Sequence, residues 1–212
     1  MTPPFILGVG GTTRSGSSTE LALRSVLREV ERLGGRSAIV TGADLVLPPY
    51  APDSPDRDPK AAKLLDLLRR ADGVIVASPG YHGSVSGLVK NALDYVEDTA
   101  ADPRPYFDGR AVGCIACAYG WQATGSTLAA LRAIVHALRG WPTPLGVAAN
   151  TSERLFDGDG ACADARLAQN LTVLAGQVVQ FATLAKLGRA LEASPEPIGQ
   201  GQADDATGGA AA

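Results

Sequence analysis

Aromatic residues make up only 5% of this 212-residue chain, which holds one methionine, two histidines and three cysteines. The cysteines, Cys114, Cys117 and Cys162, are odd in number, and no export signal precedes them, which argues against a disulfide framework. Cys114 and Cys117 form a C-x-x-C, but within the apolar run AVGCIACA they read as positions on a buried strand, three apart and facing opposite sides. No second pair and no nearby histidine completes a metal site, so their expected role is core packing. Charge of one sign is also missing. A net charge of -3 leaves no broad basic surface for nucleic acid or anionic lipid. No apolar run reaches the roughly 18 residues of a membrane span, and Met1-Thr2-Pro3-Pro4 lacks the features of a secretory leader. A soluble cytoplasmic protein is expected.

What the chain does have is a regular alternation of short apolar runs and longer helical patterns. The strands expected are Phe5 to Val9, Ser37 to Val40, Gly73 to Ala77, Arg110 to Ala118 and Leu145 to Ala149. The helices expected run from Ser18 to Leu33, Lys60 to Ala71, Ser86 to Glu97, Thr124 to Leu138 and Ala163 to Leu187. Strands apolar on both faces suit the inside of a parallel sheet. The pattern predicts one α/β domain over residues 1–190, an open doubly wound five-stranded parallel sheet with helices on both faces. Residues 191–212 are expected to form a disordered tail, since from Ser194 onward few apolar residues remain.

In such a sheet, ligands bind beyond the carboxyl ends of the strands. Three loops would share that edge: Gly11 to Thr19, Ser78 to Gly87 and Ala118 to Gly125. The first carries Thr12, Thr13, Ser15, Ser17, Ser18, Thr19 and the cation Arg14, followed by an amphipathic helix. Backbone N–H groups, hydroxyls and the positive end of the helix dipole would converge there on an anion. Two nucleotide patterns fall short. GTTRSGSS has the spacing of a P-loop but places Ser17 where the lysine belongs, and Gly8-x-Gly10-x-x-Thr13 lacks the third glycine of a dinucleotide fingerprint. A hydroxyl-rich loop better suits one terminal phosphate.

With these residues the chain resembles the NADPH-dependent FMN reductase family of flavodoxin-like proteins. GTTRSGSST is similar to the family's phosphate loop, SPGYHGSVSGLVKNALDYV to its flavin-ring segment, and Ala118-Tyr119-Gly120 to its turn after the fourth strand. His82 departs from the pattern, standing where the family usually has asparagine. The resemblance implies FMN, with its phosphate among Thr12, Arg14, Ser17, Ser18 and Thr19. The ring would lie against Ser78, Pro79, Gly80, Tyr81, His82 and Gly83, with Ala118, Tyr119 and Gly120 at the same edge. It implies hydride transfer from NADPH or NADH to flavin, with no side chain required as catalytic acid and no metal. Electrons would pass to a second acceptor or a partner monooxygenase. Relatives commonly form dimers or tetramers, so a homodimer or homotetramer is expected, and Leu88, Ala92, Tyr95 and Val96 offer one side of a helix either to a partner or to the sheet. Alternatives within the fold are an electron carrier, whose acidic rim is hard to reconcile with a charge of -3, a quinone, azo or metal-oxyanion reductase, and a flavin-free binding module.

Overall fold

A computed structural model describes residues 2–54 and 56–192. The central sheet contains β1 (Phe5–Gly10), β2 (Arg36–Val40), β3 (Gly73–Tyr81), β5 (Ala111–Ala118), β6 (Trp141–Pro142) and β7 (Val147–Asn150), all parallel. A two-residue strand, β4 (Ser84–Val85), pairs antiparallel with the end of β3. The order is β2-β1-β3-β5, and β6 and β7 both lie on the outer side of β5. The five expected strand positions are therefore all filled, and two short strands that were not expected, β4 and β6, add to them. Pro142, which has no N–H to donate, ends β6, and Pro144 lies between β6 and β7.

Helices α1 (Ser18–Arg32) and α5 (Ala165–Glu192) cover one face of the sheet. Helices α2 (Pro59–Arg70), α3 (Gly87–Asp94) and α4 (Trp121–Ala137) cover the other. Strand alternation sorts the core between them. Ile6, Ile75, Ile115 and Cys117 join the α1/α5 side, whereas Leu7, Val74, Val76, Val112 and Cys114 join the other. The two C-x-x-C thiols thus sit on opposite faces, both free, and burial pushes each pKa up to about 12. On α1 the positions Ala22, Leu23, Val26, Leu27 and Val30 form the buried stripe, and a fully buried leucine there contributes roughly 2 kcal/mol.

Several boundaries differ from the sequence pattern. The expected Ser86 to Glu97 helix ends at Asp94, and a tighter turn, Tyr95–Thr99, follows. Helix α5 is longer than expected, and an 18-residue window within it has a mean hydropathy of 1.3, apolar and long enough to cross a membrane. One face of it nevertheless packs in the core through Leu167, Leu171, Leu174, Ala175, Val178 and Ala182. The expected tail lies outside the described residues from Ala193 onward, while Leu191 and Glu192 close α5. Arg110, expected to open a strand, is instead buried just before β5. Its guanidinium donates to the carbonyls of Leu68 and Ala71 at the carboxyl end of α2. Burial lowers its pKa to about 9, which still leaves it charged at neutral pH.

Candidate functional site

At the carboxyl edge, β1 ends in Gly10 and Gly11. A β-carbon on Gly10 would stand 1.9 Å from the Ala77 carbonyl oxygen, so only glycine lets the chain leave β1 this close to β3. Gly11 N–H donates to that same oxygen. From there the loop runs through Thr12 to Ser17. The Thr12 hydroxyl accepts from Arg14 N at 3.1 Å, and Ser17 caps α1 by accepting from Glu20 N at 3.3 Å. Among the described residues, the N–H groups of Thr12, Thr13, Ser15, Ser17 and Ser18 have no protein acceptor. The exposed Arg14 guanidinium likewise has no partner among them. Five free donors and an unpaired cation at the start of a helix form a cradle for an anion.

Thr19 departs from the expected set. It lies on the inward stripe of α1, buried with its hydroxyl toward the Cys117 thiol, because the helical period turns this position away from the loop. Glu20 was not foreseen. Its buried carboxylate accepts from Gly16 N at 3.1 Å and pairs with Arg24 at 2.7 Å. The S-x-x-E spacing of Ser17 and Glu20 carries the signal of a capping box.

The second segment is not a loop through its whole length. Ser78, Pro79, Gly80 and Tyr81 continue β3, with Ser78 and Pro79 in register with Ala116 and Cys117. The sequence pattern puts Pro79 and Gly80 in a loop, but pairing with β5 and β4 holds them extended. The chain then reverses at His82 (φ 52°) and Gly83 (φ 83°), both left-handed, in a two-residue hairpin between β3 and β4. That conformation is the one Asn-Gly serves best, which gives a physical reason for an asparagine at this place in relatives. His82 stands exposed at the hairpin tip and does not line the cleft. Ser78 is fully buried. Its hydroxyl donates to Pro79 O and accepts from Ser86 N, which ties the end of β3 to the start of α3, and the side chain does not line the cleft.

Between the two segments lies an open cleft of about 170 Å³, lined by Gly11, Thr12, Thr13, Pro79, Tyr81, Ser86, Gly87 and Leu88. Ser86 caps α3 by accepting from Val89 N, and Gly87 leaves that helix end uncrowded. The structure thus brings Thr12, Pro79 and Tyr81 together, with Tyr81 57% exposed on the rim.

The third loop is shorter than expected, because α4 starts at Trp121 and leaves only Tyr119 and Gly120 between strand and helix. Ala118 is buried at the end of β5, and its Cβ would be 2.9 Å from a β-carbon on Gly80. Only glycine at position 80 allows the two strand ends this spacing. Asn150, another residue missed in sequence, fixes the turn. Its Oδ1 accepts from Gly120 N at 2.8 Å and also from Ser152 N and Oγ. Tyr119 and Trp121 project into solvent beside it, 81% and 57% exposed.

The K-N-A-L-D stretch has mainly a scaffolding role. Lys90 and Asp94 form a surface pair on α3. Asn91 accepts from Tyr50 N and donates to Pro48 O, which clamps the proline-rich segment before α2 onto α3. Arg57 completes the clamp with a two-pronged bond to Asp98 at 2.6 and 2.8 Å. That bond holds the Asp98 carboxyl below its ordinary pKa. Ala92 and Val96 are buried in the core, Tyr95 packs edge-on against Tyr50 and donates to Pro48 O, and Leu88 is half-buried, so the chain itself covers the first three.

The sequence model of the NADPH-dependent FMN reductase family matches residues 4–153. An FMN-dependent NADPH-azoreductase of Staphylococcus aureus is 30% identical over 137 residues, covering 62% of this chain and 69% of that one. Among solved structures, the flavoenzyme NAD(P)H:(acceptor) oxidoreductase FerB from Paracoccus denitrificans superposes with a TM-score of 0.68. It is 20% identical over 86% of this chain and 98% of its own. A WrbA-like flavodoxin from Agrobacterium tumefaciens gives 0.59 at 14% identity, over 86% and 99%. The structural likenesses speak for a flavodoxin-like fold. By the family match, the chain belongs to the NADPH-dependent FMN reductase family and is an NAD(P)H-dependent flavin oxidoreductase.

Proposed function

We propose that FMN is held across this edge, its phosphate in the Gly11–Ser18 loop and its ring in the cleft beside Pro79, Gly80 and Tyr81, with the Tyr119-Gly120 turn adjoining. The observation that carries this reading is the row of free N–H groups beside an unpaired Arg14, opening directly onto the cleft. The residues fit the group. Gly10 and Gly80 keep the walls close, and Gly16, Gly87 and Gly120 leave open space where a side chain would intrude. When bound, FMN accepts a hydride from NADPH or NADH and passes electrons to a second acceptor. The protein's part is positioning. Loop donors fix the phosphate, the end of β3 carries the ring, and Asn150 holds the turn that borders it.

The cleft is smaller than the roughly 300 Å³ of an enclosing ligand pocket. So open a cleft would leave room beside a bound flavin for a nicotinamide and then for an oxidant, such as an azo compound, a quinone or a monooxygenase partner. The exposed rings of Tyr81, Tyr119 and Trp121 give that rim flat apolar surface. A homodimer or homotetramer is part of this reading, supported by the outer face of α5, where the exposed Leu184 shares an apolar groove with Phe181 and the exposed Trp141. Buried unpaired cysteines are compatible with a cytoplasmic setting. The test is purification and reconstitution with FMN, stopped-flow reduction by NADPH and by NADH, and filtration to see whether reduced flavin stays with the protein. A protein that neither takes up FMN nor oxidises either nicotinamide in its presence ends this reading.

A further inference from the structure

We propose that Glu20 is an affinity-setting residue that places a fixed negative charge inside the phosphate loop and makes FMN a readily exchanged occupant. The inference rests on reading that loop as the phosphate site. The loop carries one cation of its own, Arg14, and Glu20 is the carboxylate that reaches into it. The Glu20 side chain is only 8% exposed. Arg24 directs both Nε, at 2.8 Å, and Nη2, at 2.7 Å, to the same oxygen, Oε1. The other oxygen, Oε2, turns to the loop, where Gly16 N is its partner among the described residues.

This bond is displaced by one residue from the usual capping box. There the N3 carboxylate returns to the N-cap N–H, which would be Ser17. Here it reaches Gly16 instead, and the Ser17 N–H stays free. The consequence is electrostatic. A carboxylate that accepts from the N-cap lies alongside the helix start, whereas one that accepts from Gly16 occupies part of the donor cradle itself. An arriving phosphate, near two negative charges at neutral pH, then meets a resident anion bonded between its free donors at Ser15 and Ser17. Arg24 offsets that repulsion only in part, because its side chain is 46% exposed and its charge is screened by water. Repulsion of this kind acts on the phosphate and not on the neutral ring. Its signature is therefore a difference between FMN and its phosphate-free counterpart, riboflavin.

The test is titration of the full chain with FMN and with riboflavin, followed by flavin fluorescence at fixed ionic strength, for the wild type, Glu20→Gln and Arg24→Gln. Glu20→Gln keeps an acceptor for Gly16 N and removes the charge, so FMN should bind about tenfold more tightly while riboflavin is unchanged. Arg24→Gln removes the counter-charge and should weaken FMN about fivefold, again sparing riboflavin. Circular dichroism checks that both variants fold. The half-exposed position of Arg24 keeps the second arm informative if the first variant is unstable. Unchanged or weaker FMN binding in a folded Glu20→Gln, or an equal change for both flavins, overturns the proposal. A wild type that binds neither flavin overturns the FMN reading itself.

Discussion

Replacing Asn150 with alanine separates the scaffold's contribution to the site from that of the loop donors. Asn150 is buried at the end of β7, and its Oδ1 accepts three hydrogen bonds, from Gly120 N, Ser152 N and Ser152 Oγ. Ser152 is exposed, so water replaces its two bonds in the variant at little cost. Gly120 N–H is half-buried between β5 and α4 and loses its acceptor, a loss of about 1–2 kcal/mol. In a chain of this size each kcal/mol moves the melting temperature by about 2–4 °C, so a fall of about 4 °C is expected. The freed Tyr119-Gly120 turn must then be ordered again on binding, and ordering a residue costs about 1–2 kcal/mol, so FMN should bind about tenfold more weakly. Thermal unfolding and FMN titration of the same preparation give both numbers. Asn150→Asp retains the acceptor for Gly120 N and sets a second carboxylate near Glu153, so it should lose stability while holding FMN better than the alanine variant. An alanine variant that loses stability yet binds FMN like the wild type would show that the turn is not held for the flavin. An unchanged melting temperature would refute the energetic argument altogether.

Arg14→Gln should weaken FMN binding by about 10- to 100-fold through lost charge-assisted hydrogen bonds, with riboflavin unaffected, as read by the same titration. His82→Asn should raise stability by about 0.5 kcal/mol in urea unfolding, because asparagine tolerates the left-handed φ of 52° that the hairpin imposes. His82→Val should lower stability by about 1–2 kcal/mol in the same assay. The Asp98 carboxyl, held below its ordinary 3.8 chiefly by the Arg57 hydrogen bond, contributes stability that is present above that value and lost as pH falls through its lowered folded value. Urea midpoints for the wild type should therefore drop from neutral to acid pH more steeply than those of Asp98→Asn, and parallel curves would contradict the linkage.

Much of this molecule is legible in its sequence because neighbours along the chain decide it. Apolar runs and their spacing mark the five longer strands and the helices, and the alternation within AVGCIACA separates Cys114 from Cys117. The glycine- and hydroxyl-rich stretch from Gly11 to Ser18 announces an anion cradle because its donors come from consecutive residues. Where sequence reasoning failed, distant partners had overridden a local signal. Pro79-Gly80 falls in the expected Ser78 to Gly87 loop, yet pairing with β5 and β4 keeps it extended. Thr19 looks like part of the loop until α1 turns it inward. The expected loop runs to Gly125, yet α4 begins four residues before it, at Trp121. Asn150 meets Gly120 across thirty positions of chain, and Asn91 reaches Tyr50 across forty-one. No periodicity or spacing encodes those contacts, since they depend on strand register and helix docking. The sequence by itself determined the order of the main elements, the division of the core and the donor-rich chemistry of the Gly11–Ser18 loop. Only the tertiary structure decided which residues hold the loops in place and where Glu20 puts its charge, because hydrogen bonds between distant segments exist only once the sheet has brought them together.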